Sequence, residues 1–530
     1  MIVYAFEPLG FEGELVTVEV DLRRGIPSVD LVGLPDGAVK EARERIRAAV
    51  RNSGFEFPLE RLLISLAPAG VRKGGASFDL AMALAVLVAS GQVPDVGSPV
   101  LALGELELSG RVRPVSGVLS AIAAGLRAGV PSFIVPRGNL AEARALAGDS
   151  AYAIDGLFDS VRLAAALRGL GSVEAFRPQA DPDPRLRPSP IHDTIRSEAS
   201  DEGSLDGGAD MADIRGQAGL RRAMEVAAAG GHHMLLFGPP GVGKSMAARR
   251  LAGLLPDLDD DDAVVVTTLH SLAGTLSERS GLMRRPPFRA PHHGASAEGI
   301  VGGGRSRKPG EISLAHGGVL LLDEAAEFRS DVLQSLREPL EDGVVSIVRA
   351  DRVVAYPSRF MLVLACNPCP CGNLGRRGAV CLCSAEEIRR YWKRLGGPLL
   401  DRIDLRVPVK PAGPSELASG PGEPSSSIKA RVERARARQL NRYGSLPFRL
   451  NAGIPASAIE TFCALGSEAR VSFSDQAESA GFSSRASHST LRVARTIADL
   501  DEASRIELKH VNEAIQLRRY GDGDVYWLIP

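Results

Sequence analysis

A chain of 530 residues, 44% of them hydrophobic, is too long for a single core and argues for about two to four domains. With 63 basic residues against 64 acidic ones and a formal net charge of -1, no global basic field recruits nucleic acid, so any such binding must use local patches. The start, MIVYAFEPLGFEGELVTVEV, lacks the basic-then-apolar layout of a signal peptide, and the longest apolar run, LAMALAVLVAS, is too short for a bilayer, so a soluble, cytoplasmic chain with no membrane partner is expected.

In chain order, residues 1–176 mix strand-like and helical stretches: VTVEVDL, KEARERIRAAVRNSG, RLLISLAPA and FDLAMALAVLVAS. Ser77, just before the last of these, suits a helix start. Residues 177–211 lose hydrophobic periodicity, are rich in Pro, Asp, Ser and Gly, and read as a flexible linker. Residues 212–410 alternate short apolar runs with helical stretches, which predicts α/β architecture with a parallel sheet. A second linker, PAGPSELASGPGEPSSS, covers 411–427, and 428–530 has helical periodicity without a convincing strand.

The middle part carries the chemistry. In MLLFGPPGVGKSMAARRLAGLL an apolar strand, a Gly-rich turn and a helix follow in order. Gly238, Pro239, Pro240, Gly241, Val242, Gly243, Lys244 and Ser245 fit G-x-x-x-x-G-K-S, whose backbone N–H groups close around phosphate. Lys244 would reach the β/γ-phosphates of ATP, and Ser245 would ligate Mg²⁺. GGVLLLDEAAEF places Asp323 and Glu324 at a strand end, where one carboxylate can hold Mg²⁺ and the other can polarise water. The blander reading, an acidic strand end facing a helix start, loses force after a P-loop. RFMLVLACNP ends in Asn367, which can position that water or simply begin a turn before Pro368. In PLLDRIDLRVPV, Arg402 lies between acidic neighbours, and a surface ion pair is its plain alternative.

VVSIVRADRVVAYP reads as a hairpin with Arg349 and Arg352 at its tip, suited either to phosphate or to a self-paired solvated turn. The Gly-rich stretch before the Asp323 strand, with Arg305, Arg307 and Lys308, suits a mobile loop. His292 and His293 are adjacent there and do not read as metal ligands. Cys369, Cys371, Cys381 and Cys383 form two C-x-C pairs within an insertion at 366–383, set between the Asn367 strand and the Arg402 segment. Four thiolates suit a structural Zn²⁺, with free thiols as the alternative. Cys366 and Cys463 read as packing residues. RRYWKR at 389–394, and Arg431, Arg434, Arg438 and Arg442 on one helix face, suit either DNA or solvent.

The set GPPGVGKS, LLLDEAAEF, ACNP and LLDRIDL resembles an AAA+ ATPase. The longer strings DIRGQAGLRRAMEVAAAGGHHMLLFGPPGVGKS, PPFRAPHHGASAEGIVGGG and LREPLEDGVVSIVRA are similar to the magnesium-chelatase-like ComM/YifB family. The resemblance implies an AAA+ P-loop core with an α-helical lid, and ahead of it an α+β Lon-protease-like (ribosomal S5 domain 2-like) domain. It implies a homo-hexameric, ATP- and Mg²⁺-dependent motor that drives branch migration of DNA, branched or single-stranded, while transforming DNA is integrated. Arg402 would complete the neighbouring subunit's site, and the hairpin tip would face the pore. Arg485 matches the lid arginine that contacts γ-phosphate, with Arg492 as the fallback, and Ser489 stands where the family usually has arginine. In the Lon-like part Ser77 lies near the serine position, but Ala121 takes the lysine's place and no lysine occurs in 114–136, so a proteolytically dead domain is expected. Alternatives are a chelatase-like remodeller of a protein or metal client, an ATP-dependent protease, or an assembly module that uses ATP only as a switch.

Overall fold

The computed structural model describes residues 1–177, 210–276, 281–304, 308–349, 352–376, 378–413, 416, 420–518 and 520, with the backbone alone at 349 and 352. Most of the 177–211 stretch, together with Arg305, Arg307 and part of the 411–427 stretch, lies outside the described residues.

The first domain is α+β. Its seven-stranded sheet runs in the order Ser28–Val32, Arg61–Ala67, Glu12–Arg23, Val3–Leu9, Val100–Ala102, Ser132–Pro136 and Ala151–Ile154. The long strand Glu12–Arg23 is antiparallel to both of its neighbours, and the other pairs are parallel. The helix Asp79–Ala89, DLAMALAVLVA, is apolar all round and is buried from Asp79 through Leu87. Ser77 does not cap it: Phe78 holds the N-cap position, and Ser77 instead offers its carbonyl to the Gly104 N–H. The buried Asp79 carboxylate in the first turn is matched by Arg45 at 2.8 and 3.0 Å.

The second domain is α/β, and its five-stranded sheet is wholly parallel. The order is Phe288–Arg289, Val319–Leu322, Met361–Cys366, Met234–Phe237 and Leu405–Pro408. The runs MLLF, VLLL and MLVLAC are buried at every residue, as strands covered by helices on both faces must be. One hydrophobic core lies on each face of this sheet, and the core that includes Met234, Leu236 and Val363 continues into the third domain.

The third domain is helical: Ser425–Tyr443, Ile459–Phe462, Ser467–Ser479, Ser484–Leu500 and Leu508–Arg518. Its first helix begins inside the 411–427 stretch, because the Asp210 carboxylate accepts the Ser425 N–H at 3.0 Å and the Ser425 hydroxyl accepts the Met211 N–H at 2.8 Å. The arginine row on this helix is largely spent on ion pairs and hydrogen bonds within the chain, with Arg434 exposed. Arg431 pairs with Glu225 and Glu423, Arg434 with Glu502, and Arg442 with the buried Asp499, while Arg438 donates to the Glu502 carbonyl. The row bolts the lid to itself and to the second domain.

The first and second domains also touch. The Gly117 N–H donates to the Ser271 hydroxyl at 3.0 Å, and Phe11 packs on a small cluster of Leu269, Leu272, Val354 and Tyr356. Val354 and Tyr356 belong to the hairpin Val344–Arg349/Arg352–Pro357, whose register pairs Arg349 with Arg352. No helix among the described residues is long and apolar enough to cross a membrane.

Candidate functional site

The site is built on the C-terminal ends of the three central strands. After Met234–Phe237 the chain turns through Gly241 at φ +80° and Gly243 at φ +89° into the helix Lys244–Leu254. A Cβ at Gly238 would sit 2.2 Å from the Val409 carbonyl, so only glycine lets the turn start there. The Lys244 ammonium is buried and donates to the Gly238 carbonyl at 2.7 Å, the Pro239 carbonyl at 2.9 Å and Asn367 Oδ1 at 3.1 Å. Burial pushes it below the ordinary lysine range against the pull of Asp323. Ser245 Oγ donates to Asp323 Oδ2 at 2.5 Å, and the Glu324 N–H donates to Asp323 Oδ1 at 3.0 Å. A cleft of about 340 Å³ is lined by Gly241, Lys244, Ser245, Asp323, Glu324 and Asn367, among others. The structure therefore brings Lys244, Ser245, Asp323, Glu324 and Asn367 into one place. Backbone donors and an ammonium for phosphate, a hydroxyl–carboxylate pair for a hard divalent cation, and a free carboxylate beside them suit nucleotide triphosphate hydrolysis.

A second cleft of about 490 Å³ meets the first at Asp323 and Glu324 and is walled by Arg249, Arg289, His292, His293 and Glu311. Arg289 is fixed by a two-point pair with Glu311 at 2.6 and 2.7 Å. His293 Nδ1 lies 3.8 Å from Glu324 Oε2, and its ring stacks on His292 with centroids 4.0 Å apart. Sequence reasoning treated this pair only as poor metal ligands. The signal that could have found His293 was its place just after the edge strand of the same sheet.

Arg402 and Arg485 do not line either cleft. They converge elsewhere, on one carboxylate: Arg402 lies 2.5 Å from Glu341 Oε1, and Arg485 pairs with the same oxygen. The two guanidiniums, Arg402 first, hold the Glu341 carboxyl below its ordinary range. Glu341 lies within LREPLEDGVVSIVRA, but nothing in that string marks it as a partner of Arg402 and Arg485. Arg492 is also away from the clefts, with its Nε buried and unpartnered. Ser489 is buried and donates to Asp404, which also faces His232 Nδ1 at 3.1 Å, while Arg518 donates to Ser489 Oγ at 3.1 Å. Burial alone would raise the Asp404 carboxyl, but His232 and Ser489 more than offset it and hold it well below the usual carboxylate range. Position 489 thus fastens the lid to the core near Arg402.

Cys369, Cys371, Cys381 and Cys383 present sulfurs within 4.8 Å of one another, a set that can hold a metal ion. The closest separations are 3.4, 3.6 and 3.7 Å, near the edge of about 3.8 Å expected of a tetrahedral tetrathiolate zinc. Burial pushes the Cys369 thiol up, whereas the Asn373 N–H and neighbouring sulfurs hold Cys371 down to about 6. The loop abuts the P-loop: a Cβ on Gly372 would lie 3.1 Å from Pro240 Cδ. Trp392 Nε1 donates to the Pro368 carbonyl at 3.1 Å, so the aromatics of 389–394 pack inward. Cys366 and Cys463 are buried.

The side chains of Arg349 and Arg352 lie outside the described residues. Just below the tip, Val348 and Val353 pair across the hairpin and are 73% and 67% exposed. In the first domain Ala121 is fully buried in the helix Val118–Arg127, and the buried Lys73 spends its ammonium on the Pro68 carbonyl.

Three family models match the chain: "Magnesium chelatase, subunit ChlI" over 210–417, "Subunit ChlI of Mg-chelatase" over 18–139, and "Magnesium chelatase, subunit ChlI C-terminal" over 422–518. The chain is 41% identical to an uncharacterized protein of Mycobacterium tuberculosis (strain H37Rv), over 97% of both chains. It is 39% identical to the uncharacterized protein YifB of Escherichia coli K12, over 98% of this chain and 96% of that one. It is 38% identical to the competence protein ComM of Haemophilus influenzae, over 98% and 97%. A shorter stretch, 26% of the chain, is 31% identical to 17% of a Lon protease of Geobacter metallireducens.

Proposed function

Because the chain belongs to the ComM/YifB family of magnesium-chelatase-like AAA+ ATPases, we propose that it is an ATP-hydrolysing hexameric ring motor acting on branched or single-stranded DNA. Its task is branch migration during recombination of incoming DNA in natural transformation. The observation that carries this reading is that Arg402 and Arg485 lie together, away from the chain's own Lys244–Asp323 cleft. Two clustered arginines with no place in their own site suit a site completed by a second copy of the chain.

In the reaction the P-loop N–H groups and Lys244 bind the phosphates, and Lys244 exchanges its carbonyl partners for phosphate oxygens. Ser245 and Asp323 would hold a Mg²⁺ ion, which would supply charge neutralisation at the phosphates. Glu324 takes the proton of the attacking water, Asn367 orients that water, and Arg402 and Arg485 of the neighbouring copy stabilise the transferred phosphoryl group. The hairpin tips, with Arg349 and Arg352, contact the DNA backbone in the pore. Cys369, Cys371, Cys381 and Cys383 would hold a zinc ion, which would stiffen the loop beside Pro240 and the strand end that carries Asn367.

The test is branch migration of a synthetic four-way junction by the purified protein with ATP and Mg²⁺, with Lys244→Ala as the control. Resolution that needs both ATP and Lys244 supports the motor. A junction that stays intact, with ATP turnover indifferent to DNA, removes it. The exposed Val348–Val353 pair favours a second reading, remodelling of a protein client, because apolar side chains suit an unfolded polypeptide better than phosphate. The protease reading has no support from the buried Ala121.

A further inference from the structure

Glu341 belongs to neither cleft, yet it is the one carboxylate on which both clustered arginines close. It lies in the short helix Arg337–Asp342, and the chain then turns at Gly343, φ +67°, directly into the hairpin arm Val344–Arg349. Gly343 is pinned on both sides: its N–H donates to the Pro339 carbonyl at 3.0 Å, and its carbonyl accepts the Ser358 N–H at 2.8 Å. Whatever moves Glu341 therefore acts on the hairpin root through a stiff, short connection.

The charge count at this cluster is unbalanced. One carboxylate faces two guanidiniums, and both arginines reach the same oxygen, so neither makes the two-point pair that a guanidinium prefers. Arg402 is further short of partners: its Nε is buried with no acceptor, although NH1 reaches the Pro398 carbonyl. A triphosphate offers more oxygens and more charge than one carboxylate. It can satisfy both side chains at once, and it competes with Glu341 for them.

We propose that Glu341 is a positioning residue that holds Arg402 and Arg485 as a pair, surrenders them to the triphosphate bound by the neighbouring copy, and by that release passes the binding event to the hairpin. The inference rests on the reading that these arginines act across a subunit interface. Glu341 is the ground-state competitor for the arginines, so removing its charge tightens nucleotide binding. It is also the link to the hairpin, so removing its charge uncouples turnover from DNA.

The experiment uses the full-length protein with Mg²⁺ and ATP, with and without a synthetic four-way junction. It compares wild type, Glu341→Gln, Glu341→Asp and Arg402→Ala. Glu341 is 44% exposed at the side chain, so the near-isosteric glutamine leaves the fold intact, which a melting curve checks. Glu341→Gln is expected to lower KM for ATP by about two- to fivefold, the worth of a half-exposed ion pair. It is also expected to lose stimulation of kcat by the junction. Glu341→Asp, which keeps the charge on a shorter stem, restores the wild-type KM. An unchanged KM in Glu341→Gln overturns the proposal, whatever happens to kcat, and so does a glutamine variant that the junction still stimulates as well as wild type. Arg402→Ala separates the premise from the inference: if it turns over ATP at the wild-type rate, the cross-subunit reading fails first.

Discussion

At Glu324 the backbone sits at φ 52°, ψ 44°, a left-handed conformation that costs a residue with a Cβ about 1 kcal/mol. The residue proposed to activate water is thus one whose backbone would prefer no side chain. Glu324→Gly is expected to raise stability by about 1 kcal/mol in chemical denaturation while abolishing turnover. Glu324→Gln should keep ATP affinity and lower kcat by about a hundredfold or more, read in single-turnover hydrolysis. If the glutamine variant turns over normally, another group is the base, and His293 at 3.8 Å is the first to examine. Asp323 and Asn367 were legible in the sequence because each sits where an apolar run stops, Lys244 and Ser245 because they close a G-x-x-x-x-G-K-S turn, and a parallel sheet gathers strand ends at one edge. His293 and Glu341 were not, because what matters about them is a contact with a distant segment, which the strings that contain them, PPFRAPHHGASAEGIVGGG and LREPLEDGVVSIVRA, do not spell out.

Among the elements, the helix Ser425–Tyr443 shows how a periodic stripe can mislead. Spacing put Arg431, Arg434, Arg438 and Arg442 on one face correctly, but spacing is silent about what the face meets. Asp499 is fully buried and shared by Arg442 and Arg495, so Arg442→Ala should cost about 2–3 kcal/mol in a denaturant midpoint. Arg434→Ala, at a mutually exposed pair with Glu502, should cost well under about 1 kcal/mol. Equal costs would mean the lid is not held by this buried pair. The cysteine loop makes a second test at this scale. Purified protein should carry about one zinc per chain by elemental analysis, and Cys381→Ser should lose it. Because Gly372 lies beside Pro240, that loss should depress kcat more than ATP affinity. A Cys381→Ser protein with full zinc content, or with none lost because wild type has none, removes the metal.

For the whole molecule, two buried histidines tie stability to acidity. His270, whose Nε2 faces the Leu314 carbonyl at 3.1 Å, and His316, which accepts the Arg359 N–H at 3.0 Å, are both pushed by burial from 6.5 down to about 4. Between those values the unfolded chain takes up protons that the folded chain refuses. Stability is therefore full above about 6.5 and falls as pH drops toward 4, by up to about 3 kcal/mol per histidine. Melting curves at pH 7.5 and pH 5 should differ accordingly, and His316→Gln, which keeps an acceptor for Arg359, should narrow the gap. The two stretches where periodicity stops were readable from composition alone. The docking of the first part on the second was not, because it is made by scattered single residues: Phe11, Gly117, Ser271, Val354. That contact has a mechanical meaning. Val354 and Tyr356 are hairpin residues, so the hairpin is gripped at one end by Glu341 and its arginines and along its return arm by the first domain. A swing of the hairpin must drag the first domain with it or slide past it. Where the first domain meets the hairpin the patch is small and apolar, and apolar contacts slide, whereas the Gly117–Ser271 hydrogen bond beside it anchors the domain to the neighbouring helix. The first domain would then behave as a clutch, engaged while the hairpin rests and slipping when the stroke exceeds what a few buried side chains can resist.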